Sequence, residues 1–250
     1  MLPKALAVVP IIDAVIELRF TPKIKSLSSV LSGILYSELK ANDIQKTPHS
    51  DLPDAIRNND EVLKYKPVTT LLWDEKYRIF ISDYSVALGC LHPYQGWEAF
   101  RSKIDELIKA LFKTELIEKV ERNSLKYINL IETPKGHDLS KYFNIDFGLG
   151  GKNHDLSKLS FNFEKKEGEN LVILTTFSGT VSATINDGEE KGKVINGTLL
   201  NVDTINLIEV KPEQYDSLLE SFDRLHEVEK GNFFSLLSED GLDLLGAKYE

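Results

Sequence analysis

Residues 10–20 restrict the fold of the whole chain, because their charged side chains occur only at odd positions. Successive side chains of a β-strand point to opposite faces. The odd positions carry Asp13, Glu17 and Arg19 together with Ile11 and Val15, and the even positions carry Ile12, Ala14, Ile16, Leu18 and Phe20. We therefore predict a strand whose even face lies in a core. Its odd face is expected to be a polar site, an interface or a solvated surface.

The composition is that of a globular protein, and it argues against two classes of partner, nucleic acids and membranes. The chain has 250 residues, 42% hydrophobic and 28% charged, which is enough for one large domain or two small ones. A formal net charge of −9 argues against direct nucleic-acid binding, which depends on neutralising phosphates. No apolar run approaches the roughly 20 residues of a membrane helix, and no signal-peptide pattern is found. We expect a soluble, cytoplasmic protein with no membrane partner.

The sequence offers few groups for catalysis or metal binding. Cys90 is the only cysteine, and its apolar surroundings predict a small buried side chain. His137-Asp138 and His154-Asp155 repeat one dipeptide, but adjacent residues rarely converge on one centre and both pairs lie in turn-rich segments. The glycines within 148–151 are followed by a strand pattern, whereas a phosphate loop needs a helix. We therefore predict no catalytic residue, no metal and no cofactor.

The predicted elements follow one order twice, a meander of strands and then a helix. Strand patterns occur at 70–74, 77–83, 85–91 and 116–132, and again between 159 and 210. This order is typical of an α+β protein with a mainly antiparallel sheet and helices packed on one side. We predict an N-terminal meander/helix half at 1–134 and a C-terminal one at 135–250, or one compact unit that contains both.

Three amphipathic helices are predicted from apolar residues at spacings of three and four. They extend over 21–39, 97–112 and 212–230, and a short apolar helix follows at 232–237. His226 then lies in the last turn of the third helix, where a cation complements the helix dipole. A structural role for His226 is therefore favoured over catalysis.

The candidate ligand- or partner-binding residues are Glu17, Arg19, Trp97, Arg122, Asn129 and His226. A buried amide needs hydrogen-bond partners, so we predict a polar network that joins Asn129 to Glu17 and Arg19. Trp97 could stack on a ligand, but it also begins an apolar helical stripe, and a core position is favoured. Glu17 and Arg19 can neutralise each other. We therefore interpret the odd face of the opening strand as a polar seam between elements, with ligand binding as the alternative.

Four groups of residues carry a resemblance to a known family. They are Pro10-Ile11 with Ala14, Glu17 and Phe20; Tyr94 with Gly96 and Trp97; Arg122 with Tyr127-Ile128-Asn129; and His226 with Phe233. Together they resemble a family of uncharacterised, sporadically distributed bacterial proteins of about this length. The chain departs from that family at Asp13, where Glu is usual, and at Lys126, where Arg is common and could bind bidentately. The resemblance implies a mobile or defence-associated context and no particular activity.

Two functions from different classes are our hypotheses. The first is a non-enzymatic binding or interaction protein, such as a subunit of a bacterial defence or toxin–antitoxin-like complex, with a protein partner or a second copy of itself. The second is a small-ligand or nucleotide-binding protein, or an enzyme, with a pocket between sheet and helices. A concave pocket that brings the polar candidates together would favour the second function, and a flat exposed patch would favour the first.

Overall fold

The computed structural model of the protein describes residues 2–133, 138–146, 148–150, 152–153, 160–183 and 193–249. The predicted boundary between residues 134 and 135, His137 and the pair His154-Asp155 lie outside this part of the chain. None of the helices within the described residues is long and apolar enough to cross a membrane.

The described residues form five α-helices and thirteen strands. The helices are α1 (Leu27–Glu38), α2 (Asp54–Asn59), α3 (Trp97–Lys113), α4 (Tyr215–Ser235) and α5 (Glu239–Leu244). The strands are β1 (Ala5–Leu6), β2 (Ile11–Pro22), β3 (Asp43–Lys46), β4 (Thr69–Trp73), β5 (Tyr77–Ile81), β6 (Ser85–Cys90), β7 (Ile117–Glu132), β8 (Gly148–Leu149), β9 (Lys152–Asn153), β10 (Ser160–Glu167), β11 (Asn170–Ala183), β12 (Lys193–Val210) and β13 (Ala247–Lys248).

Nine of these strands form one sheet in which every pair is antiparallel. Their order is β10-β11-β12-β7-β2-β6-β5-β4-β3. Two short ribbons, β1 with β13 and β8 with β9, complete the strand pairing. The predicted α+β class with a mainly antiparallel sheet is confirmed. Strands from both predicted halves belong to the same sheet, because β12 pairs with β11 on one side and with β7 on the other.

One face of the sheet, here called the helix face, packs against the helices. On β2 it carries Ala14, Ile16, Leu18 and Phe20, each no more than 2% exposed, as the alternation predicts. These side chains share one hydrophobic core with residues of α1, α3 and α4, including Leu31, Ile104 and Phe222. Cys90 is buried in the same core, which confirms its predicted role.

A β-bulge interrupts the alternation at the start of β2. Ile11 lies opposite Asn129 of β7, whereas Asp13 lies opposite Ile128, so Ile12 is an extra residue. The extra residue returns Ile11 to the helix face, where it packs against the core. The prediction that Ile11 shares the polar face with Asp13 is therefore wrong, because strict alternation does not allow for a bulge.

The first helix begins later than predicted. β2 continues to Pro22, and α1 begins at Leu27. Its first turn is held by the buried carboxylate of Asp83, which accepts hydrogen bonds from the backbone N–H (2.9 Å) and hydroxyl (2.7 Å) of Ser28. A distant side chain thus satisfies the helix N-terminus in place of a local capping residue.

The last long helix does not end at Gly231 as predicted, since α4 continues to Ser235. A glycine inside a helix costs about 1 kcal/mol relative to alanine. Continuing the helix buries Phe233, which is only 6% exposed, and burying such a side chain contributes about 1.5–3 kcal/mol. His226 therefore lies inside α4 rather than in its last turn, and its predicted interaction with the helix dipole is wrong.

Candidate functional site

A cavity of about 280 Å³ opens on the helix face, between β7, the beginning of α3 and the second half of α4. We call it the Glu229 pocket. Its lining combines aromatic rings with a few polar side chains, and residues of the N-terminal segment complete it. The lining residues are Pro3, Lys4, Ala5, Leu6, Val9, Pro10, Ile11, Tyr94, Trp97, Tyr127, Asn129, His226, Glu229, Lys230, Phe233 and Phe234.

One stripe of α4 forms a wall of the pocket. His226, Glu229, Lys230 and Phe233 are spaced three, four and seven residues apart, which places them on the same side of a helix. The stripe requires an uninterrupted helix through Gly231. The continuation of α4 to Ser235 is therefore what brings Phe233 beside His226 and Glu229.

Glu229 is the most unusual group of the pocket. The residue is only 2% exposed, and its Oε1 atom has no hydrogen-bond partner among the described residues. Burial raises the pKa of this carboxyl well above its usual value of about 4.5, although a hydrogen bond with the backbone of Tyr127 opposes the shift. The negative charge of Asp203 acts in the same direction as burial. The pocket thus contains a carboxyl group that favours its neutral form and has an unused hydrogen-bonding atom.

Two tyrosines and a histidine form a hydrogen-bonded chain beside this carboxyl. The hydroxyls of Tyr94 and Tyr127 lie 3.0 Å apart, and the Tyr127 hydroxyl lies 3.2 Å from Nδ1 of His226. Burial lowers the pKa of His226 to about 4 and raises the pKa values of both tyrosines. All three side chains are therefore uncharged at neutral pH and can donate or accept hydrogen bonds.

The orientation of the Trp97 side chain is fixed by contacts with two other side chains, His226 and Asp223. Its ring stacks on His226, with centroids 4.3 Å apart, and its Nε1 donates to Asp223 (3.3 Å). Asp223 is held in turn by two hydrogen bonds from Arg101, at 2.6 and 2.8 Å. Gly96, with φ of 95°, directs the chain into α3 so that Trp97 is its first residue. The predicted core position of Trp97 is only partly correct, because the side chain also lines the pocket.

Asn129 is a buried residue that lines the pocket and does not belong to the predicted network. Its side-chain amide donates to the backbone carbonyl of Leu200 on the neighbouring strand, at 3.1 Å. Asn129 faces the helices, whereas Glu17 and Arg19 point to the other side of the sheet. The hypothesis of a polar network joining these residues is therefore wrong, because the register pairs the odd residues of β2 with the even residues of β7 and leaves Asn129 on the opposite face.

The N-terminal segment is held over the pocket by the C-terminal residues. Backbone N–H groups of Lys4, Ala7 and Val8 donate to carbonyls of residues 245–248, at 2.8 to 3.1 Å. This pairing contains the ribbon β1–β13 and fixes the segment that contributes Val9 and Ile11 to the lining. The two ends of the described chain thus complete the pocket together.

The other three candidate residues lie together on the opposite face of the sheet, here called the polar face. Nε of Arg19 lies 2.9 Å from Oε2 of Glu17, and Nη1 of Arg122 lies 3.6 Å from the same oxygen. The guanidinium of Arg19 also lies 3.8 Å above the ring of Tyr65. The prediction that Glu17 and Arg19 neutralise each other is confirmed. The structure therefore divides the six candidates, placing Trp97, Asn129 and His226 in the pocket and the others on the polar face.

The polar face also carries polar atoms without partners. Among the described residues, Nε of Arg122, Oδ1 of Asn201 and Oδ1 of Asp203 are buried and make no hydrogen bond. Burial lowers the pKa of Arg122 and raises that of Asp203, although Lys126 and Arg122 oppose the latter shift. The charges of this face are thus partly removed from water and incompletely paired.

Three important pocket residues were missed as candidates. Tyr94 and Tyr127 belong only to the motifs that carry the resemblance, and Glu229 belongs to no pattern identified in the sequence. The spacing of His226, Glu229 and Phe233 is the signal that could have found it, but only for a helix that continues through Gly231. No three His, Cys, Asp or Glu side chains of the described part of the chain converge on a point where they could hold a metal ion.

Comparison with other proteins adds no assignment to this geometry. The sequence matches no protein-family model. It also has no significant match among curated proteins, so the predicted resemblance to a sporadic bacterial family stays a prediction.

Proposed function

We propose that the protein binds a small organic molecule in the Glu229 pocket and does not catalyse its conversion. The observation that carries this proposal is that Glu229 lines a cavity and that its buried Oε1 atom has no hydrogen-bond partner among the described residues. Leaving a buried polar atom unpaired costs about 1–3 kcal/mol. A ligand that supplies the missing hydrogen bond would recover this cost, which is a direct reason for the cavity and the carboxyl to occur together.

The size of the pocket supports a small ligand. Sites for drug-sized molecules enclose about 300–1,000 Å³, and the cavity of about 280 Å³ lies just below this range. A molecule with an apolar body and one or two polar groups fits a lining that is mostly aromatic and aliphatic. A cavity of this volume favours a small ligand over a nucleotide, which was the other ligand in our second hypothesis from the sequence.

The electrostatics of His226, Tyr94 and Tyr127 support binding rather than catalysis. Acid–base catalysis is most efficient when the pKa of the catalytic group lies near the working pH. Burial moves the pKa of His226 down to about 4 and those of Tyr94 and Tyr127 upwards, in each case away from neutrality. These groups are suited to hold a ligand by neutral hydrogen bonds.

A screen of neutral, cationic and anionic fragments tests the proposal. Binding is followed by the indole N–H resonance of Trp97, with Trp73 of the core as an internal reference. Replacing Val9, which lines the pocket, by Trp should abolish binding. The matched control is Val8→Trp, because Val8 is similarly exposed (57% against 52% for Val9) but does not line the pocket. The proposal requires at least one fragment that binds to the wild-type protein and does not bind to the Val9→Trp variant. If no fragment of any class behaves in this way, the proposal is wrong.

A second candidate function is protein–protein interaction through the polar face. The observation that favours it is the group of partly desolvated, incompletely paired atoms of Arg122, Asn201 and Asp203, since a partner could supply the missing hydrogen bonds. Analytical ultracentrifugation of the wild type and of an Arg122→Glu variant tests self-association. A monomeric wild type that also purifies from its native host without a partner would contradict this candidate.

A further inference from the structure

We propose that the ligand of the Glu229 pocket is a small organic ammonium ion, held by the carboxylate of Glu229 and by the faces of the surrounding aromatic rings. This inference rests on the proposed function and names the chemical class of the ligand. Three features of the pocket support it: the arrangement of the rings, a buried carboxyl that has no ion-pair partner among the described residues, and the balance of charges around the cavity.

The aromatic rings surround the cavity in several orientations. Tyr94 and Tyr127 are inclined by 66° with centroids 5.5 Å apart, and Phe233 and Phe234 are inclined by 70° at 5.2 Å. Trp97 contributes a fifth ring to the lining. A cation is attracted to the face of an aromatic ring, and cages of several rings are a known means of binding ammonium groups. Rings that differ in orientation can present their faces to one cation from several directions.

The carboxyl group of Glu229 is a costly choice for a neutral ligand. Burying an ionised carboxyl is far less favourable than burying an amide or hydroxyl, and keeping the carboxyl neutral at pH 7 also has a cost. An amide or hydroxyl could serve a neutral hydrogen bond without either cost. A carboxylate gains in a different way, because a hydrogen bond between two charged groups is about twice as strong as a neutral one. The described residues provide no ion-pair partner for Glu229. The ligand is therefore the natural source of the positive charge.

Two lysines at the pocket oppose an ammonium ion, but weakly. Lys4 is exposed and Lys230 is half-buried, so water and salt screen their charges over a Debye length of about 8 Å. Glu229 is buried, and a charge pair at a given distance interacts more strongly there than at the surface. The formal net charge of −9 also favours the approach of cations. The attraction to Glu229 therefore outweighs the repulsion.

Binding of an ammonium ion must release a proton. Burial keeps Glu229 neutral in the empty pocket, so the carboxyl releases its proton to water when the ion pair forms, while the ammonium keeps its own. The charged or titratable groups facing this site are Tyr94, Tyr127, His226, Lys230 and Lys4, and Asp203 acts from across the sheet. The tyrosines and His226 stay uncharged between pH 5.5 and 8. Affinity should therefore rise up to tenfold per pH unit until Glu229 is ionised in the free protein.

Matched pairs of amines and alcohols test the inference. Benzylamine and cyclohexylamine are compared with benzyl alcohol and cyclohexanol by isothermal titration calorimetry at pH 5.5, 6.5 and 7.5. We expect each amine to bind at least tenfold more tightly than its alcohol at pH 7.5, with affinity falling towards pH 5.5. Titrations in buffers of different ionisation enthalpy should reveal proton release in the wild-type protein itself.

Two variants separate Glu229 from the rest of α4. Glu229→Gln keeps the shape of the side chain and should remove the preference for amines, whereas Glu227→Gln, at an exposed position outside the pocket, should retain it. Replacing Lys4 and Lys230 by Met should raise the affinity for amines slightly.

Two outcomes would contradict the inference about the class of ligand and leave the proposed function unchanged. One is alcohols binding as tightly as amines with no dependence on pH, which would indicate a neutral ligand. The other is benzoate binding that the lysine variants abolish, which would indicate an anion. If no neutral, cationic or anionic fragment shows binding that Val9→Trp abolishes, the proposed function itself would be contradicted.

Discussion

The indole ring of Trp97 and the imidazole ring of His226 lie face to face, with centroids 4.3 Å apart and planes inclined by 3°. Burial of His226 lowers its pKa from 6.5 to about 4. The imidazole is therefore neutral at pH 7, where it accepts or donates the hydrogen bond with Tyr127. The stacked pair forms one wall of the pocket, and the charge state of its imidazole ring can be measured.

His226 should make the protein less stable as the pH falls from about 6.5 to 4. In this window the unfolded chain binds a proton at the ordinary pKa of histidine, whereas the folded protein does not. The loss is on the order of 2 kcal/mol after allowance for the partial exposure of the ring. Urea unfolding at pH 7.5 and 4.5 measures it, and His226→Phe should lack this part of the loss. An equal loss in both proteins would contradict the prediction.

Glu229→Gln should stabilise the protein increasingly as the pH rises above about 4.5. Because burial raises the pKa of Glu229, the unfolded chain ionises first and the folded state loses stability until its own pKa is passed. The advantage of the variant should grow by up to about 1.4 kcal/mol per pH unit in this window. Thermal unfolding at pH 4, 6 and 8 is the measurement, with Glu227→Gln as control. A pH-independent difference would be evidence against a buried neutral carboxyl.

The two faces of the sheet should behave as independent sites. Glu17 pairs with Ser124 and Ile11 with Asn129, so Glu17 and Asn129 are separated by about 16 Å along β7 as well as by the sheet itself. Glu17→Gln and Asn129→Ala should each cost about 1–3 kcal/mol. Their effects should add to within about 0.5 kcal/mol in a double-mutant cycle of unfolding free energies. A larger coupling energy would contradict this prediction and would support a polar network between Glu17 and Asn129.

Gly33 and Gly197 should respond in opposite ways to replacement by alanine. A Cβ atom at Gly33 of α1 meets nothing within 4 Å, so Gly33→Ala should stabilise the helix by about 0.5–1 kcal/mol. A Cβ atom at Gly197 of β12 would lie 2.6 Å from the carbonyl oxygen of Ile131, and the strand pair must shift. Gly197→Ala should therefore cost about 1–3 kcal/mol. Denaturant midpoints of the two variants test both signs at once.

Local periodicity was enough to predict much of the fold. The alternation at 14, 16, 18 and 20 identified the buried face of β2, and the stripe that begins at Trp97 identified α3. What periodicity could not predict depends on distant contacts. Asp83 determines where α1 begins, and the burial of Phe233 allows α4 to continue through a glycine.

The candidate site was predicted only in part, because it too depends on contacts between residues that are distant in the sequence. Trp97, Asn129 and His226 were selected and lie in one pocket, while Glu17, Arg19 and Arg122 form a separate group. No sequence rule could tell the groups apart without the register of β2 against β7. Glu229 was missed because a lone glutamate on a charged helix is ordinarily solvent-exposed, and only the tertiary structure buries it.

The extra residue at Ile12 makes the pocket depend on the bulge itself. If Ile12 took the place opposite Asn129 in regular pairing, strict alternation would turn Ile11 and the residues before it to the other side of the sheet. The polar face and α4 would be unchanged in sequence, and yet the pocket would lose one wall. Deleting Ile12 would instead leave Ile11 opposite Asn129, so the wall tolerates the loss of the extra residue but not its entry into the regular strand pairing.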